Sequence, residues 1–125
     1  MFQQNTDPLV LTLSNLKPGQ VVQVGIYARA EDFPKTDRVT YFRIFTAGKN
    51  TQERFTITDL PHGTYAFAVY QDINKNKKLD VNLVGYPSEP FGFSNNVRPR
   101  FSAPSFDACK FEYGPGKNGV QIKLL

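Results

Sequence analysis

The sequence predicts an all-β protein: a single antiparallel β-sandwich of about seven strands. Three observations carry this. Apolar residues recur with a period of two along several segments, and a helical period is nowhere sustained. The alternating segments are short and are cut off by clusters of Pro, Gly, Asn and Asp. Aromatic residues are abundant, with 11 Phe and 6 Tyr, and supply buried area that a composition of 40% hydrophobic residues would otherwise lack. A chain of 125 residues fits one domain, 1–125, large enough to bury a core without disulfide staples.

The elements follow in order. Leu9-Val10-Leu11-Thr12-Leu13 alternates Leu with other residues and stops at the turn signal Lys17-Pro18-Gly19. Val22, Val24 and Ile26 then point to one face, Gln23 and Gly25 to the other. A single helical turn is expected near Ala30 to Lys35. Arg38 to Phe45 is rich in β-branched and aromatic residues, and Gln52 to Ile57 alternates again. Thr64 to Tyr70 is the strongest strand, with Tyr65, Phe67 and Val69 on one face and Ala66, Ala68 and Tyr70 on the other. Phe106 to Tyr113 and Val120 to Leu125 close the set, separated by Gly114-Pro115-Gly116-Lys117-Asn118-Gly119. Between Asn82 and Pro104 no strand is expected. Pro87, Pro90, Pro99 and Pro104 fall there, while Tyr86, Phe91, Phe93 and Phe101 argue for a long ordered loop, at about 81–104, packed by its own side chains.

Composition removes several classes of function. No apolar run reaches the length of a membrane span. The single cysteine, Cys109, forms no intrachain disulfide and no zinc site by itself; in a strand pattern it reads as a small buried hydrophobe. The single histidine, His62, lies in the turn Pro61-His62-Gly63 and leaves little for His-based catalysis. A formal net charge of +4, with Arg98-Pro99-Arg100 and three nearby lysines, allows a basic surface. No nucleic-acid-binding signature accompanies it, so nucleic acid is not expected as a partner.

One constellation carries chemistry. In Asp72-Ile73-Asn74-Lys75-Asn76-Lys77-Lys78-Leu79-Asp80, oxygen-bearing side chains stand at Asp72, Asn74, Asn76 and Asp80. This is the spacing of calcium-loop positions 1, 3, 5 and 9, with the Lys78 carbonyl at position 7. Calcium takes six to eight hard oxygens, and a curled loop turns alternate side chains inward. Lys77 stands where such loops carry Gly, and Leu83 where they carry a bidentate Glu; Glu89 is the candidate for the missing carboxylate if the loop folds back. The same residues also suit a plain polar turn. Further on, Ser94-Asn95-Asn96 reads either as a capped turn or as polar groups presented to a ligand. Glu89, Ser94 and Asn95 are therefore the candidate ligand-binding residues beside the candidate metal ligands Asp72, Asn74, Asn76, Lys78 and Asp80.

Leu60-Pro61-His62-Gly63-Thr64-Tyr65 resembles the strand entry common in prealbumin-like and Cna-B-like sandwiches. The order that follows is more specific: Asp72-x-Asn74-x-Asn76-x-x-Leu79-Asp80, Gly85-x-Pro87-x-Glu89, Phe91-Gly92-Phe93-Ser94-Asn95-Asn96, Pro104 and Phe106-x-Ala108. Together these resemble the bacterial domain-of-unknown-function family 2141, from about Leu9 to Leu125. The resemblance implies a prealbumin-like or immunoglobulin-like sandwich and a periplasmic or secreted location, although no leader is visible in Met1-Phe2-Gln3-Gln4-Asn5. It implies no particular activity. Lys75 and Lys77 replace glycines common in that family's loop, which weakens a metal site carried over from it.

The expected function is a non-enzymatic, exported binding or structural module, with structural calcium fixing the long loop. Its partner would be a small molecule, a glycan or an envelope protein. Two alternatives stand beside it: a small hydrolase or lyase using Asp72, Asp80 or Glu89, and an envelope protein-interaction module.

Overall fold

The computed structural model describes residues 8–71, 90–98 and 104–124. Among them the chain forms eight strands and one short helix. In order these are β1 (Leu9–Ser14), β2 (Val21–Tyr27), β3 (Tyr41–Thr46), β4 (Glu53–Ile57), β5 (Gly63–Gln71), β6 (Phe91–Phe93), α1 (Phe106–Cys109), β7 (Phe111–Tyr113) and β8 (Gly119–Lys123). Three-residue 3-10 turns occupy Ala30–Asp32, Thr36–Arg38 and Ser94–Asn96.

The strands divide into two sheets, one ordered β4-β1-β8 and one ordered β3-β2-β5-β6 with β7 also on β5. All pairings are antiparallel except β1 with β8, which run parallel. The expected sandwich is therefore present, with one parallel pair closing the smaller sheet.

Period-two alternation sets the layers. Leu9, Leu11 and Leu13 of β1 are fully buried and face Val22, Val24, Ile26, Phe67 and Val69 of the larger sheet in the inter-sheet core. Each such aliphatic side chain contributes about 1.5–3 kcal/mol by leaving water. The opposite face of β2 and β5 is not left to solvent. Tyr27, Ala66 and Tyr70 join Phe33, Phe91, Phe93 and Cys109 in a second buried cluster. Burial on both faces explains why β5 reads as one continuous apolar run.

Two sequence expectations are corrected here. No strand was expected between Asn82 and Pro104, yet β6 pairs Phe91, Gly92 and Phe93 with Tyr70, Val69 and Ala68. Three residues around a central Gly are too few to show a period, and the pairing is imposed by the waiting edge of β5. Phe106 to Tyr113 was expected as one strand, but its first half is α1 and only Phe111–Tyr113 is extended. The Ser105 hydroxyl accepts from the Ala108 N–H at 3.2 Å, so a capped helical turn wins locally over alternation. Cys109 thus ends a helical turn; it is nonetheless fully buried, as a small hydrophobe would be.

The LPxGxY entry to β5 has a mechanical explanation. Leu60 is buried, and the Tyr65 hydroxyl donates to the Pro61 carbonyl at 2.6 Å. This is the tyrosine-corner arrangement, which fixes the angle at which a strand leaves its turn. His62 sits exposed in that turn, its ring edge-on to Tyr113.

Candidate functional site

The outer edge of β5 has two partners. β7 pairs with its first half, Gly63 to Tyr65, and β6 with Ala68 to Tyr70. Between them a gap opens at Ala66 and Phe67, and the Ser94-Asn95-Asn96 turn fills it. The Ser94 hydroxyl accepts from the Phe67 N–H at 2.9 Å and donates to the Cys109 carbonyl at 2.6 Å. The Asn95 side-chain amide donates to the Ala108 and Lys110 carbonyls at 3.1 and 2.9 Å. Asn96 Oδ1 accepts from the Lys123 N–H at 2.9 Å. Three consecutive side chains thus tie the larger sheet to α1 and to β8 of the smaller sheet.

The residue types follow from this geometry. Asn95 and Asn96 have φ of 63° and 53°, a left-handed conformation that Asn tolerates better than most residues. Just before them, Gly92 lies against β8 so closely that a Cβ there would stand 2.6 Å from Ile122 Cγ2. The Phe91-Gly92-Phe93-Ser94-Asn95-Asn96 motif is a clasp that closes one side of the sandwich.

Beside the clasp is a cleft of about 180 Å³ lined by Gly92, Phe93, Asn96, Val97, Arg98 and Lys123. Its floor is apolar, since Phe93 is buried and Val97 packs against the outer cluster. Its rim carries two exposed cations, Arg98 and Lys123. Among the described residues no carboxylate lines it. The described carboxylates with cationic neighbours stand elsewhere: Asp59 with Arg43 at 2.6 Å, Asp107 with Lys110 at 2.9 Å, Glu112 with Lys117 at 3.8 Å, and Glu31 and Asp32 around Arg29. The Arg43 guanidinium holds the Asp59 carboxyl below the ordinary carboxylate range, chiefly by its hydrogen bond.

The sequence-derived candidates divide accordingly. Asp72, Asn74, Asn76, Lys78, Asp80 and Glu89 lie outside the described residues. The chain on either side of 72–89 is well anchored. The Gln71 N–H donates to the Pro90 carbonyl at 2.9 Å, and the buried Gln71 amide pairs with both backbone groups of Lys17, at 2.7 and 2.9 Å. Ser94 is fully buried with its hydroxyl engaged twice, and Asn95 is exposed with its amide engaged by α1. Both serve as turn residues of the clasp. Sequence reasoning noticed Arg98 in the run Arg98-Pro99-Arg100 but did not join it to Gly92, Val97 or Lys123. Only the approach of β8 to the Ser94–Asn96 turn brings these together.

Fold and clasp define the class: a two-sheet β-sandwich with a second apolar layer on its larger sheet and a basic cleft at the closed side. The chain belongs to the family described as "Uncharacterized protein conserved in bacteria (DUF2141)", whose model matches residues 9–121. No curated protein and no solved structure matches it.

Proposed function

We propose that the protein is a non-catalytic binding module, exported to the periplasm or beyond, that engages its ligand at the cleft beside the clasp. The observation that carries this is the division of labour at the closed side. Ser94, Asn95 and Asn96 hold the fold, while the adjoining cleft keeps an apolar floor and two exposed cations. Such a concave surface with a few convergent polar groups is suited to recognition. The described groups at this cleft are cations, an amide and apolar side chains.

The stretch Asp72 to Asp80 belongs to the same reading as a structural calcium loop, with Asp72, Asn74, Asn76, the Lys78 carbonyl and Asp80 as oxygen donors. Its support is the spacing, together with the anchoring of the flanking residues Gln71 and Pro90 to each other. Among the described residues no three His, Cys, Asp or Glu side chains converge, and the donors proposed for calcium all lie at 72–80.

Thermal unfolding in millimolar calcium against the same buffer with chelator tests the loop. Calcium at about a hundred times its dissociation constant adds roughly 2.7 kcal/mol, which raises Tm by several degrees. Replacing Asp72 and Asp80 with Ala should abolish the rise. An unchanged Tm would assign the Asp and Asn spacing to turn chemistry and leave the cleft to stand without a metal.

A further inference from the structure

We propose that the cleft takes the oxyanion head group, carboxylate or phosphate, of a small organic ligand; this rests on the reading of the protein as a binding module and names its ligand class.

The polar groups at the cleft are donors. Lys123 and Arg98 are exposed and have no ion-pair partner among the described residues. The oxygen of the Asn96 amide is engaged by the Lys123 N–H, and what the amide retains is its two Nδ2 hydrogens. A rim of two cations and an amide N–H group accepts a ligand rich in acceptors and negative charge. Arg98 can meet a carboxylate or phosphate with two parallel hydrogen bonds, and Lys123 adds a point charge.

The apolar floor refines the class. Phe93 and Val97 offer contact to carbon. A bare inorganic ion would make no use of that surface. The volume of about 180 Å³ equals roughly six waters. That is smaller than a site that swallows a drug-sized molecule, and it suits an acidic head group with the carbons next to it, as on an acidic sugar.

The test uses three probes with one skeleton: glucuronate, glucose 6-phosphate and neutral glucose, titrated into the isotopically labelled protein and followed through backbone amide NMR signals. The amides of Gly92, Asn96, Val97 and Lys123 should shift saturably with at least one acidic probe and not with glucose. Glucuronate alone identifies a carboxylate ligand, glucose 6-phosphate alone a phosphate ester, and both together a general oxyanion site. Arg98→Gln and Lys123→Gln should each weaken binding by on the order of tenfold. Lys117→Gln, at a cation that neighbours Glu112, should leave it unchanged. Equal shifts with glucose would overturn the anion assignment while sustaining the binding module. Shifts that are linear, or spread over the surface lysines, would remove the anion site altogether, and the calcium melting experiment would still judge the loop by its own readout.

Discussion

Ser94 stands where the edge of β5 passes from one partner strand to the other, and it supplies there what a neighbouring backbone would have supplied. A strand edge in a sheet interior needs an acceptor for each inward N–H, and a buried carbonyl needs a donor. One hydroxyl answers both, accepting from Phe67 and donating to Cys109 with no exposed surface of its own. Removing it in Ser94→Ala leaves two buried backbone groups unpaired, each costing about 1–3 kcal/mol. The expected result is a stability loss of about 2 kcal/mol or more in urea unfolding, with the slope of the transition unchanged. A loss below about 0.5 kcal/mol would show that water or a small shift re-pairs them. Gln71 is the parallel case: its buried amide meets both backbone groups of Lys17 and acts as one more rung of the ladder. Ser94 and Gln71 replace main chain that the topology does not provide. They are fold residues even where their chemistry first suggests a site.

Elements with a strong period were legible in the sequence, and those held by neighbours were not. β1 buries every other residue, while β2 and β5 are covered on both faces and still send Val22, Val24, Ile26, Tyr65, Phe67 and Val69 into the inter-sheet core, so pattern and structure agree about which side chains face inward. β6 has three residues with Gly in the middle, and its extended form comes from β5 on one side and β8 on the other. α1 hid inside an alternating run; the one local sign was Ser105 with Asp107 in the first turn. The cleft was half legible, because Arg98 belongs to a visible charge run whereas Lys123 reaches it only through the packing of β8. Gly92 makes this dependence testable. A methyl group there would meet Ile122 Cγ2 at 2.6 Å, Leu124 Cδ2 at 3.0 Å and the Lys123 carbonyl at 3.2 Å, and the last, being backbone, cannot rotate away. Gly92→Ala should therefore lower stability by about 1–3 kcal/mol. Gly114→Ala, where nothing lies within 4 Å, should be close to neutral in the same urea experiment. Equal effects at the two glycines would mean that β6 does not need its close approach to β8.

At the scale of the whole molecule, two apolar layers share the β2–β5 sheet, and the outer layer contains Tyr27 and Cys109, two acids whose titration is displaced upward. Burial, then the nearby Tyr70 and Asp37, pushes the Tyr27 hydroxyl up from 10.0 to about 12. Burial alone pushes the Cys109 thiol up from 9.0 to about 11. Both groups are acids whose folded form holds its proton longer than the unfolded form does. Above pH 9 the unfolded chain binds fewer protons than the native one, so stability falls as pH rises. The fall should begin near pH 9 with Cys109, steepen from pH 10 as Tyr27 joins, and level off above about 12. Each group contributes a slope of about 1.4 kcal/mol per pH unit across its window, or roughly 2–3 kcal/mol in all. Urea unfolding at a series of pH values from 8 to 11 measures this directly, and the unfolding midpoint should drop through that range. Cys109→Ala separates the two groups: relative to its own stability at pH 8, the variant should stay level to about pH 10 and only then decline. The thiol of the native protein should likewise react slowly with disulfide reagents at pH 8 and quickly once urea opens the outer layer. A stability that stays level to pH 11 in the unsubstituted protein would mean that the layer over β2 and β5 opens enough to hydrate both groups without loss of the inter-sheet core.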